Sequence, residues 1–297
     1  MFTGLSAFPL TPVTPAGFDE SGFIRILERI TSAGVDSVGV LGSTGSYAYL
    51  TRPQRSRIAA IAKSHAGNIP VMVCVGSVST DEVLRLADDA QAAGADALLL
   101  PPVAYQTLRD EEVFGLFEAL SQHASVPVCI YDNPGTTHFE FSDELHGRIA
   151  RLPGIKSVKI PGVPASPDDA LVRVQRLKSM LPEGVTVGIS GDASAATGLN
   201  AGCEVWYSVC GGLFPHTAKE ITDAAVRGER ERVVQLSERL QPLWDLFRRH
   251  GGSIRVMAAA AGVLGLTEAD CLPRPLRPLS TDDITEVAAV INRLELR

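Results

Sequence analysis

Short apolar runs rich in β-branched residues alternate with longer amphipathic segments along most of the chain. The apolar runs have the length of buried strands, whereas the longer segments repeat apolar residues at intervals of three and four, as one face of a helix does. Residues 19–33, for example, align Phe23, Leu27 and Ile30 behind an acidic N-cap and stop at Gly34. This order predicts the strand–helix units of an α/β protein with a parallel sheet.

Eight strands follow from this pattern, at residues 5–10, 36–41, 70–75, 97–100, 126–131, 155–160, 185–189 and 205–209. The helices between them are predicted at residues 19–33, 81–92, 111–123, 142–151 and 216–226 and in segments that begin near Thr51 and Ser166. The helix between the last two strands has no assigned range. Eight strands alternating with eight helices predict a (β/α)8 TIM barrel over residues 1–228. Helical periodicity at residues 230–247, 254–264 and 284–294 predicts a helical C-terminal domain over residues 229–297.

A short repeat supports the alternation. An alanine–glycine pair, one further residue and an acid come before three of the predicted strands, as Ala33-Gly34-Val35-Asp36, Ala93-Gly94-Ala95-Asp96 and Ala201-Gly202-Cys203-Glu204. The first two copies are spaced by two βα units of about thirty residues each. Chance recurrence in a chain rich in alanine and glycine is the alternative. The acid that all three copies share favours a structural repeat.

Composition narrows the class of partner. The chain has 297 residues, of which 45% are hydrophobic, so it can bury a large core. Its formal charge of −7 and its isoelectric point near 5.4 argue against a nucleic-acid surface and an anionic membrane surface, because both need clustered basic residues. The first residues lack the pattern of a signal peptide, and apolar runs such as residues 256–266 are too short to span a bilayer. We therefore expect a cytoplasmic protein that binds a small molecule.

The five cysteines and six histidines show no metal-binding spacing. No Cys-x-x-Cys, His-x-His or His-Glu-x-x-His pattern is present, so we expect reduced, buried cysteines and no metal site. A dinucleotide-binding fingerprint is also missing. The sequence therefore favours chemistry carried by side chains alone.

Two reactive side chains stand at the ends of neighbouring predicted strands. Tyr131 ends the fifth strand and Lys159 ends the sixth, so both are expected at the mouth of the barrel where active sites of this fold lie. Lys156 enters the same strand from the opposite end and is not placed for chemistry. A neutral amine attacks a 2-oxo carbonyl to form an imine, and a phenol moves the protons of that reaction. The alternatives are a lysine that extends to solvent and an ordinary rim tyrosine.

A loop rich in glycine and hydroxyl groups, residues 42–46, follows the second strand. Gly42 and Gly45 permit a tight turn with exposed amides, and the hydroxyls of Ser43 and Thr44 add donors, which suits a carboxylate or a phosphate. The loop lacks the Walker spacing and a following lysine, so a nucleotide is not expected. A plain strand–helix turn is the alternative. Beside an imine-forming lysine, such a loop is suited to the carboxylate of a 2-oxo acid.

Four motifs together resemble those of a known family. Gly42-Ser43-Thr44-Gly45, Tyr131-Asp132-Asn133-Pro134, Lys159 and Ser190-Gly191-Asp192 occur in the order and at the strand ends found in the dihydrodipicolinate synthase and N-acetylneuraminate lyase family of class I, pyruvate-binding aldolases. The resemblance covers the barrel and continues loosely into the C-terminal helices. It implies a (β/α)8 fold with a helical C-terminal domain, a homotetramer built from tight dimers, and no cofactor besides a covalent lysine imine with the substrate.

The resemblance also implies roles for individual residues. Lys159 carries the imine in this interpretation, and the further catalytic residues are Tyr131, Thr44 and Tyr105. The substrate-binding residues that it implies are Ser43, Thr44, Gly45, Thr136, Gly191 and Tyr207. Of these, Tyr207 is expected to contribute its backbone.

The chain departs from the pattern of the family at three positions. Thr136 stands where the synthases have an arginine that holds the carboxylate of the second substrate, Ser46 replaces a glutamate, and an aromatic pair after the fourth strand is reduced to Tyr105. Bulky Tyr47 and Tyr49 either reshape the pocket for the second half of the substrate or only fill the layer between strands and helices. Activity as the lysine-pathway synthase is therefore not expected.

The predicted function is that of a Schiff-base-forming lyase or aldolase that acts on pyruvate or a substituted 2-oxo acid. Three alternatives remain open. The first is a dehydratase or deaminase of the same family that acts on a 2-keto-3-deoxy acid. The second is the 4-hydroxy-tetrahydrodipicolinate synthase itself, which Thr136 argues against. The third is a barrel that binds a 2-oxo acid without turnover.

Overall fold

The computed structural model describes residues 1–296. Its strands are β1 (Gly4–Ala7), β2 (Val13–Thr14), β3 (Gly17–Phe18), β4 (Ser37–Val40), β5 (Val71–Cys74), β6 (Ala97–Leu100), β7 (Val128–Tyr131), β8 (Ile155–Ile160), β9 (Thr186–Ile189) and β10 (Val205–Ser208). Strands β1 and β4 to β10 form one closed parallel barrel, in which β1 pairs with both β4 and β10. Each barrel strand overlaps a strand predicted from the sequence. The predicted TIM barrel is confirmed.

The helices of the described chain are α1 (Glu20–Ser32), α2 (Arg52–His65), α3 (Thr80–Ala92), α4 (Asp110–His123), α5 (Pro134–Thr137), α6 (Asp143–Ala150), α7 (Pro167–Met180), α8 (Ala195–Asn200), α9 (Pro215–Val226), α10 (Arg230–Arg239), α11 (Gln241–Arg249), α12 (Ile254–Val263) and α13 (Thr281–Leu294). Side-chain caps begin several of them. The hydroxyl of Ser142 accepts the amide of Leu145 at the start of α6, for example, and that of Ser166 accepts the amide of Asp169 at the start of α7.

The alanine–glycine–acid repeat has one structural role in all three places. Its glycines follow helix ends with φ angles of +65°, +87° and +106°, where a side chain is strained. The acid of each copy accepts a backbone N–H from the first or second residue of the neighbouring strand: Asp36 from Leu5 at 2.8 Å, Asp96 from Val71 at 2.8 Å and Glu204 from Val187 at 2.9 Å. The repeat therefore turns the chain out of a helix and ties the incoming strand to its neighbour at the bottom of the barrel.

Three local features differ from the prediction. Strands β2 and β3 form a small hairpin outside the barrel, and α8 occupies part of the segment that had no assigned helix. The helical stretch predicted at residues 230–247 is divided at Leu240 into α10 and α11. Pro242 stands in the first turn of α11, where its missing N–H is tolerated, whereas it cannot continue a helix from before it.

The C-terminal helices pack beside the barrel. The predicted domain boundary at residue 228 falls in the turn between α9 and α10, and α10 contacts both α8 and α9. Helices α12 and α13 pack against each other. The division of the chain into two domains stays a prediction. None of the helices within residues 1–296 has the length and apolarity that crossing a bilayer requires.

Side chains alternate between the barrel interior and the helical layer, and this alternation places the chemistry. The phenol of Tyr207 contacts the hydroxyl of Ser157 at 2.6 Å and accepts the thiol of Cys129 at 3.5 Å in the barrel interior. Tyr131 and Lys159 come two residues after Cys129 and Ser157 on the same strands. They therefore share the inward face, one layer nearer the mouth.

Candidate active site

Tyr131 and Lys159 meet at the carboxyl ends of their strands. They are register partners in the β7–β8 pair, and the Nζ atom of Lys159 lies 3.8 Å from the centroid of the Tyr131 ring. Lys159 is only 4% exposed, whereas Lys156, at the start of β8, faces solvent. The ion pairs that lysines form within residues 1–296 do not include Lys159. The amine is thus buried without a carboxylate partner.

Two further aromatic rings lie near the amine. The Nζ atom of Lys159 is 4.6 Å from the ring centroid of Phe8 and 6.0 Å from that of Tyr207. These two rings pack edge to face with centroids 5.9 Å apart. Gly188 makes room for the second ring, because a Cβ atom there would lie 2.3 Å from it. The rings of Phe8 and Tyr207 fill the barrel interior next to the amine, so the amine faces the mouth of the barrel.

The hydroxyl of Tyr131 has two polar partners. It lies 3.0 Å from the Oγ atom of Ser43 and accepts a hydrogen bond of 2.9 Å from the carboxamide of Asn133. Because Asn133 donates to the phenol oxygen, the proton of Tyr131 is free to be donated to Ser43. Ser43 therefore occupies the relay position beside Tyr131. Thr44, for which the family resemblance implies a catalytic role, makes no hydrogen bond with the Tyr131 hydroxyl.

The glycine-rich loop closes one side of the site. The amide of Ser46 donates a hydrogen bond to the carbonyl of Ser43, so the loop turns back on itself. The turn is so tight that only glycine fits at position 45, because a Cβ atom there would lie 2.8 Å from the Leu41 nitrogen. The amides of Ser43, Thr44 and Gly45 have no acceptor among the described residues. Ser43 and Thr44 also line the cavity. These amides and hydroxyls are suited to a carboxylate.

The segment after β9 forms another wall. Ser190 and Gly191 line the cavity, and the Ser190 hydroxyl donates to the carbonyl of Ile160 at 2.8 Å. Asp192, the next residue, is turned away into the interior, where it accepts hydrogen bonds from Trp206 Nε1 at 2.9 Å and the Cys210 amide at 2.7 Å. Burial raises the pKa of Asp192 to about 6. Asp192 therefore joins the wall to β10 and the residues after it.

A turn of the C-terminal helical region completes the cavity. Gly251 and Gly252, between α11 and α12, line it together with Ser253, Ile254 and Leu276. The enclosed volume is about 440 Å³, within the range of small-molecule sites. Sequence reasoning missed these residues, as it missed Phe8, because they lie far along the chain from the motifs. The Gly251-Gly252 pair, at a break between helical segments, is the one signal that marked a special turn.

The remaining predicted residues lie in different places. Thr136 lines the cavity and is exposed at its entrance. Tyr207 lies beneath the amine with its hydroxyl directed to Ser157, and it does not line the cavity. Tyr105 is 90% exposed and is also outside the lining. The structure thus brings Lys159, Tyr131, Ser43, Thr44, Thr136 and Gly191 around one cavity. The roles of all these residues stay predictions.

No group of three or more His, Cys, Asp and Glu side chains within residues 1–296 is arranged to hold a metal ion. All five cysteines are buried and free. Burial raises the pKa of the Cys129 thiol, below the amine, to about 11, so it is a neutral group of the interior.

Comparison with known proteins gives the same assignment as the motifs. The model of the dihydrodipicolinate synthetase family matches residues 1–294. A relative from Nitrosomonas europaea named 4-hydroxy-tetrahydrodipicolinate synthase is 30% identical over 287 residues, which cover 95% of this chain and 94% of the relative. A synthase of the same name from Methylococcus capsulatus is 30% identical over 240 residues and 80% of each chain.

Solved structures agree in fold. The dihydrodipicolinate synthase of Agrobacterium tumefaciens is 43% identical, with a TM-score of 0.94, over 99% of this chain and 98% of that chain. An Acinetobacter baumannii synthase in complex with pyruvate is 21% identical, with a TM-score of 0.89 and full coverage of both chains, and at that identity it shows the shared fold. The membership expected from the four motifs is confirmed. The chain belongs to the dihydrodipicolinate synthetase family, whose enzymes are lyases of the class I aldolase type.

Proposed function

We propose that this protein cleaves or forms a carbon–carbon bond next to a 2-oxo acid through an imine on Lys159. The observation that carries the proposal is the buried amine of Lys159, 3.8 Å from the ring centroid of Tyr131 and without a carboxylate partner, in a cavity beside a loop with free amides. Family membership supports the same chemistry. The substrate that we propose is pyruvate or a 2-oxo acid that carries a substituent on the adjacent carbon.

The neutral amine of Lys159 attacks C2 of the 2-oxo acid, and the carbonyl oxygen becomes a hydroxyl. Tyr131 donates a proton to that hydroxyl, which leaves as water when the imine forms. In the cleavage direction, the substituent on C3 carries a hydroxyl group on the carbon bonded to C3. A base removes the proton of this hydroxyl, the bond between the two carbons breaks, and the substituent leaves as an aldehyde. The electron pair is delocalised as an enamine, which takes a proton at C3, and hydrolysis of the imine releases pyruvate. Ser43 exchanges protons with Tyr131 in these steps.

The carboxylate of the 2-oxo acid binds to the loop after β4. The amides of Ser43 and Thr44, which line the cavity, and the hydroxyl of Thr44 are its donors. Gly45 does not line the cavity, and its free amide is a further donor of the same turn. This arrangement orients C2 toward the amine, and holding the two reacting groups in this geometry accelerates the attack. Gly191, on the opposite segment, packs too closely on Ser194 to carry a side chain, because a Cβ atom there would lie 2.8 Å from the Ser194 hydroxyl.

We further infer a homotetramer of tight dimers in the cytoplasm that works without a metal or an organic cofactor. The resemblance to the family supports the tetramer, and the ring of Tyr105 is exposed and accessible to a second subunit. The free state of all five cysteines supports a reducing compartment. Lys159 supplies the electron-withdrawing group itself, which supports chemistry that needs no cofactor. Synthase activity with a second, carboxylate-bearing substrate is disfavoured by the threonine at position 136.

Trapping with borohydride tests the imine. The protein is incubated with pyruvate and borohydride, and intact mass spectrometry and peptide mapping locate the reduced adduct. We expect one adduct per chain, on Lys159. The Lys159→Ala variant should form none, whereas Lys156→Ala, its matched control three residues earlier on the same strand, should form it as the unsubstituted protein does.

Two outcomes contradict the proposal. An adduct on Lys156, or no adduct at any pyruvate concentration, removes the mechanism. An adduct without pyruvate release from any substituted 2-oxo acid leaves a protein that binds a 2-oxo acid without turnover. Loss of water or ammonia from a 2-keto-3-deoxy acid, in place of aldehyde release, identifies the dehydratase or deaminase alternative.

A further inference from the structure

The cavity has one basic side chain. Among the described residues that line it, Lys159 alone has an ionisable cation, and no aspartate, glutamate, arginine or histidine is present. In the proposed reaction, the amine of Lys159 becomes part of a bond to the substrate. Any other charge that the substrate brings into the cavity must therefore be stabilised by uncharged groups.

Uncharged donors and acceptors form much of the remaining lining. Ser46, Tyr47, Tyr49, Thr136 and Ser253 line the cavity, and each of these side chains carries a hydroxyl group. The hydroxyl of Ser46 is buried and has no hydrogen-bond partner, which is unusual for a polar atom inside a protein. The pKa of the Tyr47 phenol is raised well above its usual range, mainly by burial, so it stays protonated. These groups offer hydrogen bonds but no positive charge.

Arg55 is a buried cation near this wall, and two of its three guanidinium nitrogens are engaged, whereas its buried Nε atom has no hydrogen-bond partner. Its guanidinium donates to the carbonyl oxygens of Gly76 at 2.9 Å and Cys74 at 2.8 Å, and its centre lies 5.5 Å from the ring centroid of Tyr47. It does not line the cavity. The ring of Tyr47 contacts both the guanidinium and the cavity, so Arg55 is not a direct partner for a ligand there.

A carboxylate or phosphate loses part of its hydration when it enters the cavity, and without a cationic partner that loss is not compensated. The carboxylate next to the reacting carbonyl has the free amides of the loop after β4. A second anionic group, elsewhere on the substrate, has no comparable set of free amides in the cavity lining. A hydroxyl group, in contrast, exchanges its bonds with water for bonds with the hydroxyls of the wall at little cost.

We propose that the half of the substrate beyond the 2-oxo acid is uncharged and carries hydroxyl groups, so that the aldehyde partner of the reaction is a neutral hydroxyaldehyde. This inference rests on the proposed imine chemistry of Lys159 and adds the class of the second substrate. Position 136 is central to it, because Thr136 lies at the cavity entrance and brings a hydroxyl without a charge.

A matched pair of ligands tests the charge preference without the need for turnover. 2-Oxoglutarate and its 5-methyl ester share the 2-oxo acid head and differ in charge at the far end. Each is titrated into the full-length protein with borohydride, and intact mass spectrometry gives the concentration for half-maximal labelling, with pyruvate as reference. We expect the ester to label at least about tenfold more tightly than 2-oxoglutarate, the ratio that about 1.4 kcal/mol produces.

Two arginine variants show where the preference arises. Thr136→Arg places a cation at the entrance and should reduce or reverse the preference for the ester by tenfold or more. Thr281→Arg adds the same charge at the exposed first residue of α13, outside the cavity, and should keep the order of the unsubstituted protein. Circular dichroism checks that both variants are folded.

The outcomes separate the two proposals. Failure of pyruvate, the ester and 2-oxoglutarate to label Lys159 removes the imine and the inference with it. Labelling by pyruvate together with equal or tighter labelling by 2-oxoglutarate leaves the imine intact and overturns the neutral-substrate inference. A ratio that stays unchanged in a folded Thr136→Arg protein overturns the assignment of the preference to the missing cation. An unchanged Thr281→Arg ratio with a shifted Thr136→Arg ratio supports it.

Discussion

The hydroxyl of Tyr131 lies between the carboxamide of Asn133, which donates to it, and the hydroxyl of Ser43. These two partners determine the direction in which Tyr131 can transfer its proton. Asn133 donates to the phenol oxygen at 2.9 Å, and Ser43 lies 3.0 Å away on the other strand exit. A hydrogen bond donated to the oxygen stabilises the negative charge that develops there as the proton moves to another group. Asn133 therefore acts on the proton transfer through Tyr131 and is a positioning residue.

The Asn133→Ala variant should slow formation of the trapped imine at saturating pyruvate about tenfold, because one hydrogen bond to the phenol oxygen is lost. Asn133→Asp should slow it further, since a carboxylate accepts the phenol proton and draws it away from Ser43. The half-saturating pyruvate concentration should change little in either variant. Asn292→Ala, which removes an exposed carboxamide on α13, is the control. Equal rates in the Asn133 variants and the control contradict this role.

At the scale of elements, one buried carboxylate connects the exit of β9 with β10 and the residues after it. Asp192 accepts hydrogen bonds from Trp206, Ser208 and the amide of Cys210, and it stands next to Gly191 of the cavity wall. Its pKa is raised to about 6, first by burial, while the hydrogen bonds oppose that shift. The carboxylate form is thus held in place at a cost that depends on pH.

The sign of that dependence follows from linkage. The folded pKa of Asp192, about 6, lies above the value of about 3.9 that the unfolded chain has, so the folded state binds the proton more tightly. The contribution of this group to stability is fully present below pH 4 and is lost as the pH rises to 6. The loss amounts to about 2–3 kcal/mol.

Chemical denaturation of the unsubstituted protein and of Asp192→Asn between pH 4 and pH 7 measures this term. The stability of the unsubstituted protein minus that of the variant should fall by about 2–3 kcal/mol over this range and then stay constant. A difference that does not change with pH contradicts a raised pKa at this site. Loss of the acceptor for the Cys210 amide shifts the variant by a constant amount and does not affect the test.

At the scale of the whole molecule, one predicted catalytic residue has no place in the cavity of its own chain. Tyr105 lies in the segment between β6 and α4, and its ring is 90% exposed. A large exposed aromatic ring near a barrel mouth is suited to a contact with another copy of the chain. If Tyr105 acts across a dimer, each site combines residues of two subunits.

Mixed subunits test this arrangement. Lys159→Ala and Tyr105→Phe chains are dissociated, combined in equal amounts and reassociated. Half of the dimers are then mixed, and each mixed dimer contains one site with an intact lysine and an intact tyrosine, so about a quarter of the activity of the unsubstituted protein should return. Activity no higher than the average of the two parents shows that Tyr105 does not act across subunits.

The sequence pattern predicts the position of some active-site side chains and leaves that of others open. Strand direction and the alternation of side chains are enough to distinguish Lys159 from Lys156, because a strand of known direction has only one end at the mouth of the barrel. The sequence places both Ser43 and Thr44 in the glycine-rich loop after the second predicted strand. The pattern did not distinguish which hydroxyl faces Tyr131, because this depends on how tightly Gly45 turns the loop.

The sequence by itself determined the strand–helix alternation, the strand exits that carry Lys159 and Tyr131, and the turns after the three repeat glycines. These are properties of neighbouring residues, set by periodicity and by the backbone freedom of glycine. Only the tertiary structure decided that Phe8 and Tyr207 lie beneath the amine, that Asn133 donates to the phenol, and that the Gly251-Gly252 turn lines the cavity. These contacts join segments far apart in the chain, and packing in three dimensions selects them.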